Sequence, residues 1–104
     1  MANTCVSIGD GRWFNPTKAE KWNENTYFDG HNQISMATGS QWEHETLYRT
    51  SKGAWWLHHE SAWQGKAEEW RELTVEEAVA WLHAQTWRAA AERFAPGSTA
   101  AREV

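Results

Sequence analysis

The sequence predicts an α+β domain in which an antiparallel β-meander of about four or five strands carries a C-terminal helix on one face. Two observations predict this fold. Residues 44–60 form a clear hairpin pattern around the three-residue loop Ser51-Lys52-Gly53. Thr74-Val75-Glu76-Glu77 is a helix capping box that precedes an apolar stripe at helical spacing. A short N-terminal helix completes the predicted fold.

The composition bounds the size and the class of the protein. The 104 residues suffice for one domain with a modest core, and 40% hydrophobic and 23% charged residues are typical of a globular chain. The single cysteine, Cys5, excludes an internal disulfide. Because the sequence shows neither a membrane-spanning apolar run nor a signal pattern, we expect a cytoplasmic protein without membrane association. Residues 1–95 should form one domain and residues 96–104 a flexible tail.

The N-terminal third predicts a helix followed by a hairpin. Val6 and Ile8 are a short apolar pair, either an edge strand or a lead-in. Asn15-Pro16 is typical of a helix start, so we predict a short helix from there to about Trp22. The first hairpin is predicted over residues 26–36, because Asp29-Gly30 lies between β-forming residues.

The second hairpin has a predicted register. With Gly53 in the left-handed position of the loop, Leu47 faces Leu57 and Tyr48 faces Trp56. A slip to a two-residue loop would instead pair Leu47 with His58. One face of the hairpin then holds Arg49, Leu47, Trp55, Leu57 and the Glu45–His59 pair. The other holds Tyr48, Trp56, Thr46, His58 and the His44–Glu60 pair.

The C-terminal third predicts a turn at residues 63–66, a last strand at 68–73 and then the helix. The first apolar stripe of the helix consists of Val75, Ala78, Val79 and Leu82. Beyond residue 84 the stripe is rotated by roughly 100° and consists of Trp87, Ala90, Ala91 and Phe94. Either the helix bends near Gln85, or its second half faces a different partner.

Nine tryptophans are too many for the core of so small a domain, so some should lie at a binding surface. The side of the sheet away from the C-terminal helix is the candidate, because tryptophan and tyrosine there suit either a protein interface or the stacking of nucleic-acid bases. Alternatively, the N-terminal helix covers this side as a second core layer. The candidate binding residues are Trp42, Tyr48, Trp56, His58, His44 and Glu60. The rotated stripe of Trp87, Ala90 and Phe94 is a candidate dimer or partner contact.

Metal binding and catalysis are alternatives that the sequence favours less. His58 and His59 are adjacent in a strand and point to opposite faces, and the spacing of the histidines matches no zinc pattern. We therefore expect no metal and no other cofactor. Glu45–His59 and His44–Glu60 resemble acid–base couples, but the sequence has no nucleophile elbow, phosphate loop or glycine-rich fingerprint.

Three stretches of the chain resemble small bacterial proteins of unknown function that are carried by plasmids, phages and integrated elements. The stretches are residues 26–30, residues 47–53, and Glu76-Glu77-Ala78 leading to Trp81-Leu82. The resemblance covers about residues 26–82 and involves turns, a cap and core positions. It implies a shared fold and a mobile-element setting, and it implies no catalytic residue.

These observations predict a non-catalytic protein-binding function, as an accessory, inhibitor or regulatory protein of a mobile element or phage. An anti-CRISPR-type inhibitor is one concrete version. The net charge of −4 suits a protein partner with a basic surface and makes nucleic acid a less expected partner. The second hypothesis is a single-stranded nucleic-acid binder that uses Trp56 and Tyr48 as stacking platforms. The third is a small metal-dependent enzyme that uses His44 and His58.

Overall fold

The computed structural model describes residues 6–7, 11–62 and 68–103. Cys5, Ile8 and the turn predicted at residues 63–66 lie outside these ranges. The strands are β1 (Val6–Ser7), β2 (Trp13–Phe14), β3 (Glu20–Asn23), β4 (Thr26–Phe28), β5 (Gln33–Ser35), β6 (Glu43–Arg49), β7 (Trp55–Ser61) and β8 (Glu69–Leu73). The helices are α1 (Val75–Ala84), α2 (Arg88–Phe94) and α3 (Ser98–Arg102), and Pro16–Lys18 forms one 3-10 turn.

The centre of the fold is an antiparallel sheet with the strand order β3-β6-β7-β8. The predicted register of the β6–β7 hairpin is confirmed from His44↔Glu60 through Leu47↔Leu57 to Arg49↔Trp55. Gly53 closes the loop with φ of 87°, in the left-handed region that favours glycine. The hairpin predicted over residues 26–36 is also confirmed, but β4 and β5 form a two-stranded sheet of their own.

The predicted N-terminal helix is wrong beyond Lys18. Asn15 caps only the turn Pro16–Lys18, where its Oδ1 accepts a hydrogen bond of 3.0 Å from the Thr17 amide. Residues 20–23 form the edge strand β3, which places Trp22 opposite Leu47. The Trp22 ring stacks on Trp55 at 5.5 Å. This non-local burial and the hydrogen bonds of the strand outweigh the local helix signal.

Helix α1 begins at the predicted capping box, in which the Thr74 side chain accepts from the Glu77 amide and the Glu77 carboxylate accepts from the Thr74 amide. It packs on one face of the sheet, as predicted, although Val75 is exposed. The helix ends before Gln85, and Thr86 takes φ of 66°. The buried core on this face consists of Trp22, Leu47, Trp55, Leu57, Leu73, Ala78, Val79, Leu82 and Ala91.

Helix α2 returns the rotated stripe to the same core. Phe94 packs edge-on against Trp55, with ring centroids 4.8 Å apart, and Ala90 is partly buried beside it. Trp87 stays 43% exposed, while its indole N–H donates to the Asn23 carbonyl over 2.8 Å. The stripe therefore faces the sheet because the helix breaks, and its predicted role in dimer or partner contacts stays a prediction.

The opposite face of the sheet is covered by the N-terminal segment. Phe14 packs against Tyr48 at 5.7 Å and against Trp70 at 5.4 Å, and Ala19 lies beside this cluster. A strand and a turn thus form the second core layer that we considered as the alternative to an open aromatic face. Only 9% of Tyr48 and 5% of Trp56 remain exposed.

Among the described residues, no helix combines the length and the apolar character that crossing a membrane requires. The tail predicted over residues 96–104 contains the short helix α3, and its flexibility stays a prediction.

Candidate functional site

The six residues predicted for binding do not form one site. Trp42 is 44% exposed and Glu60 is also exposed, and both lie near the end of the β6–β7 hairpin that is farthest from the loop. Tyr48 and Trp56 lie in the second core layer, so they are not an open stacking platform. The binding role of the exposed members stays a prediction. The two histidines each have a carboxylate partner within the fold.

His58 belongs to the aromatic layer. Its ring stacks on Trp70, with centroids 4.1 Å apart and planes inclined by 13°. Its Nε2 lies 2.8 Å from a carboxylate oxygen of Glu68. Trp70, the residue opposite His58 in the β7–β8 register, therefore fixes the ring against the sheet.

His44 takes part in a hydrogen-bond cluster centred on Glu24. The Glu24 carboxylate, whose side chain is only 9% exposed, lies 2.6 Å from His44 Nδ1. The same carboxylate accepts from the Ser35 hydroxyl over 2.7 Å and from the Glu45 amide over 2.6 Å. His44 faces Glu60 in the strand register, as predicted, but its ring nitrogen Nδ1 contacts the carboxylate of Glu24. Glu24 thereby joins β5 to the main sheet.

His59 forms the predicted pair with Glu45 and a second pair with Glu43, each at 3.3 Å. Burial favours a lower pKa for His59, but the hydrogen bonds and charges of Glu45 and Glu43 outweigh burial and raise its pKa. Glu45 also accepts from the indole N–H of Trp81 over 3.1 Å. This group therefore ties β6 and β7 to α1.

The histidine and carboxylate side chains described above join separate strands, and one group also joins the sheet to α1. Within residues 6–7, 11–62 and 68–103, no group of three or more His, Cys, Asp and Glu side chains is arranged to hold a metal ion. Ser35 donates to Glu24 rather than to a histidine, so this trio is not arranged as a nucleophile with its base.

The β4–β5 hairpin carries the first surface that could bind a partner. We use the name hairpin surface for the exposed side chains on both sides of this hairpin, Tyr27, Phe28 and Met36, which are 49%, 63% and 44% exposed. All three residues of β4 are exposed, whereas Ile34 and Ser35 of β5 are buried. The hairpin therefore turns β5 toward the body of the protein and β4 toward solvent.

The base of this hairpin is held by side-chain hydrogen bonds. The Asn25 amide donates to Oε1 of the buried Gln85 over 2.7 Å, and the Asn25 side chain donates to Thr86 Oγ1 over 3.2 Å. Glu24 adds its bonds to β5 and β6. Thr86 has a positive φ, which is strained for a β-branched residue. This conformation turns the α1–α2 junction toward Asn25, whose side chain donates to Thr86 Oγ1.

The second candidate surface is a cleft with a volume of about 580 Å³, which we call the basic cleft. It lies between the Pro16–Lys18 turn and the β6–β7 loop. The buried Trp56 and the 64% exposed Trp13 supply aromatic walls, and Lys18 and Lys52 supply charge. Its lining includes Arg12, Trp13, Lys18, Lys52, Trp56 and Glu72.

Sequence reasoning missed the basic cleft. Its charged residues come from three separated stretches around residues 12–18, 51–52 and 72, and the chain as a whole is acidic. The available signal was the loop Ser51-Lys52-Gly53, which fixes a lysine at the tip of a tight turn. Only the packing of Phe14 on the sheet brings Trp13 and Lys18 next to that tip.

The chain matches no protein-family model, no curated protein and no solved structure in the three comparisons made.

Proposed function

We propose that the protein is a non-catalytic binding protein of a phage or other mobile element and that it acts by docking the hairpin surface on a partner protein. The observation that carries this proposal is the exposure of Tyr27, Phe28 and Met36 on one short hairpin. Aromatic residues and methionine are enriched in the centres of protein interfaces, where a few large side chains supply most of the binding energy.

The anchoring of the hairpin supports the proposal. A surface that is ordered before binding loses less conformational entropy when the partner arrives. Glu24 and Asn25 connect the base of β4 to β5, β6 and the α1–α2 junction through the hydrogen bonds described above. The exposed rings therefore stand on a fixed support.

The free edge of β4 offers a second mode of contact. The bonds Met36 N–Asn25 O and Asp29 N–Asn32 O mark the hydrogen-bonded pairs of the hairpin. By the alternation of antiparallel ladders, the N–H and C=O of Phe28 then point to the outer edge. Among the described strands, only β5 pairs with β4, so an extended segment of a partner could add to this edge.

The charge supports a partner with a basic surface. Asp29 lies at the tip of the hairpin, and the backbone amides of Asn32 and His31 donate to its carboxylate, which lowers its pKa. The tip is therefore negatively charged at neutral pH, in a chain of net charge −4. An anti-CRISPR-type inhibitor that docks on a nucleic-acid channel of a host defence protein is the concrete version of this proposal.

The proposal is tested by affinity capture with matched variants. Tagged wild-type protein is incubated with lysate of a bacterial host, and the bound proteins are compared with those retained by Phe28→Ser and by the control Trp13→Ser. Both residues are strongly exposed aromatics, at 63% and 64%, so neither change should disturb folding. Equal melting temperatures of the variants establish this point.

The expected result is a partner that binds the wild type and Trp13→Ser and that Phe28→Ser loses by about tenfold or more, as at an interface hot spot. Equal retention by Phe28→Ser, or the absence of any protein that wild type enriches, would contradict the proposal.

A further inference from the structure

The basic cleft has a local charge opposite to that of the whole chain. Lys18 and Lys52 line it, and neither forms an ion pair with a residue that the structure describes. Arg12 also lines the cleft, 3.5 Å from Glu72 and with its guanidinium 5.4 Å from the Trp56 ring centroid. Since Arg12 and Glu72 offset each other, the two lysines leave an excess of positive charge among the lining residues.

The walls of the cleft are aromatic. Trp56 forms a buried part of the lining, and Trp13 presents a ring that is 64% exposed. The pairing of β2 with β1 accounts for this, because adjacent residues of a strand point to opposite sides and Phe14 points into the core. A volume of about 580 Å³ falls within the range of small-ligand sites, about 300–1,000 Å³.

Both lysines stand on tight turns. Lys18 ends the turn that Asn15 caps, and its amide donates to the Asn15 carbonyl over 3.0 Å. Lys52 lies in a loop closed by Thr50, whose amide donates to the Ala54 carbonyl over 2.8 Å and whose hydroxyl accepts from the Ala54 amide over 3.1 Å. The turns thus fix the backbone of both lysines beside the aromatic cleft, which they line.

We infer that the basic cleft binds a nucleotide, with the base against the ring of Trp13 and the phosphate at Lys18 and Lys52. An aromatic wall next to lysines that form no ion pair with the described residues suits a ligand with a flat ring and a negative charge. The nucleotide is either free or a unit of a single strand, and both carry the same base and phosphate. This inference uses residues other than the hairpin surface and does not rest on the proposed protein partner.

The test is a calorimetric titration of the full chain with adenosine 5′-monophosphate, adenosine and inorganic phosphate. A fluorescein-labelled single-stranded oligonucleotide of eight adenylates is titrated in parallel, with anisotropy as the readout. The variants are Trp13→Ala and the double variant Lys18→Gln, Lys52→Gln. Lys21→Gln is the matched control, because Lys21 is an exposed lysine outside the cleft. Phe28→Ser tests independence from the hairpin surface.

We expect the monophosphate to bind at least about tenfold more tightly than adenosine or phosphate alone. Trp13→Ala should weaken binding by about tenfold, as the loss of one stacking partner does. The lysine double variant should weaken it by about tenfold because the phosphate loses both cations, while Lys21→Gln and Phe28→Ser should leave binding unchanged. Tighter binding of the oligonucleotide would assign the site to a single strand, on which each lysine can contact a separate phosphate; the slope of log K against log salt should then be about −1.4. Equal or tighter binding of the monophosphate would assign it to a free nucleotide.

Three results would overturn the inference. The first is that neither nucleotide form binds at millimolar concentration. The second is that neither Trp13→Ala nor the lysine double variant weakens binding. The third is that an acidic tyrosine-containing peptide binds more tightly than any nucleotide. Because Trp13 is mostly exposed, an unchanged melting temperature of Trp13→Ala separates lost binding from lost folding.

Discussion

Substitution of Glu24 by alanine should destabilise the protein and release the β4–β5 hairpin. The Glu24 carboxylate accepts from Ser35 Oγ, lies 2.6 Å from His44 Nδ1 and accepts from the Glu45 amide. A hydrogen bond to a charged group contributes about 1.5–3 kcal/mol, and such bonds within one cluster are not additive. Because Ser35 is fully buried, its hydroxyl would lose its acceptor without gaining water.

We estimate a loss of about 3 kcal/mol in the free energy of unfolding, a large part of the total for a domain of this size. In a urea titration followed by circular dichroism, this corresponds to a midpoint lowered by about 2 M at a slope of about 1.5 kcal/mol per M. Relative to wild type, Glu24→Ala should accelerate amide hydrogen exchange more in β4 and β5 than in β7. Glu60→Ala, at an exposed carboxylate of the same sheet, is the control and should change little. A Glu24→Ala protein as stable as wild type, with unchanged exchange in β4 and β5, would refute the anchoring role.

Three further predictions concern His59, the start of α1 and the packing of α2. Although burial opposes the shift, the hydrogen bonds and charges of Glu45 and Glu43 raise the pKa of His59 in the folded protein. The ion pairs therefore contribute their full stability below the unfolded pKa of about 6.5, and this contribution is lost as the pH rises through the folded pKa. The free energy of unfolding in urea should therefore differ less between about pH 5.5 and about pH 8 for His59→Gln than for wild type. Thr74→Ala should lower the free energy of unfolding by about 1 kcal/mol in the same assay, whereas Thr74→Ser should retain the cap. Phe94→Ala should lower it by about 3 kcal/mol, because the ring packs on two core tryptophans.

Each of these predictions has an outcome that would contradict it. Equal pH dependence of His59→Gln and wild type would remove the role of the ion pairs. A Thr74→Ala protein with wild-type stability would show that the cap contributes nothing. If Phe94→Ala changed the molar mass in solution and left stability unchanged, the stripe would be a contact between copies rather than part of the core.

The elements that local chemistry determines were predicted from the sequence. The register of β6 and β7 follows from the loop ending at Gly53 and from the two-residue period, which places Leu47 opposite Leu57. The start of α1 follows from the capping box at Thr74, whose partners lie within four residues.

The elements that distant contacts determine were not predicted. Residues 20–23 carry a helix start just before them, yet Trp22 is buried on Trp55, a partner 33 positions later in the chain. The cluster around Glu24 joins residues 11 to 21 positions apart and has no periodic signature. The basic cleft likewise exists only after Phe14 has packed on the sheet. Each of these features requires the tertiary structure, which composition and periodicity do not contain.

The most direct test of the account is amide hydrogen exchange by mass spectrometry on the protein bound to the partner that affinity capture identifies. Docking through the hairpin surface predicts protection on binding in β4, with the strongest effect at Phe28, whose N–H points to the open edge. Protection confined to α1 and α2, with exchange in β4 unchanged between the free and the bound protein, would contradict the account.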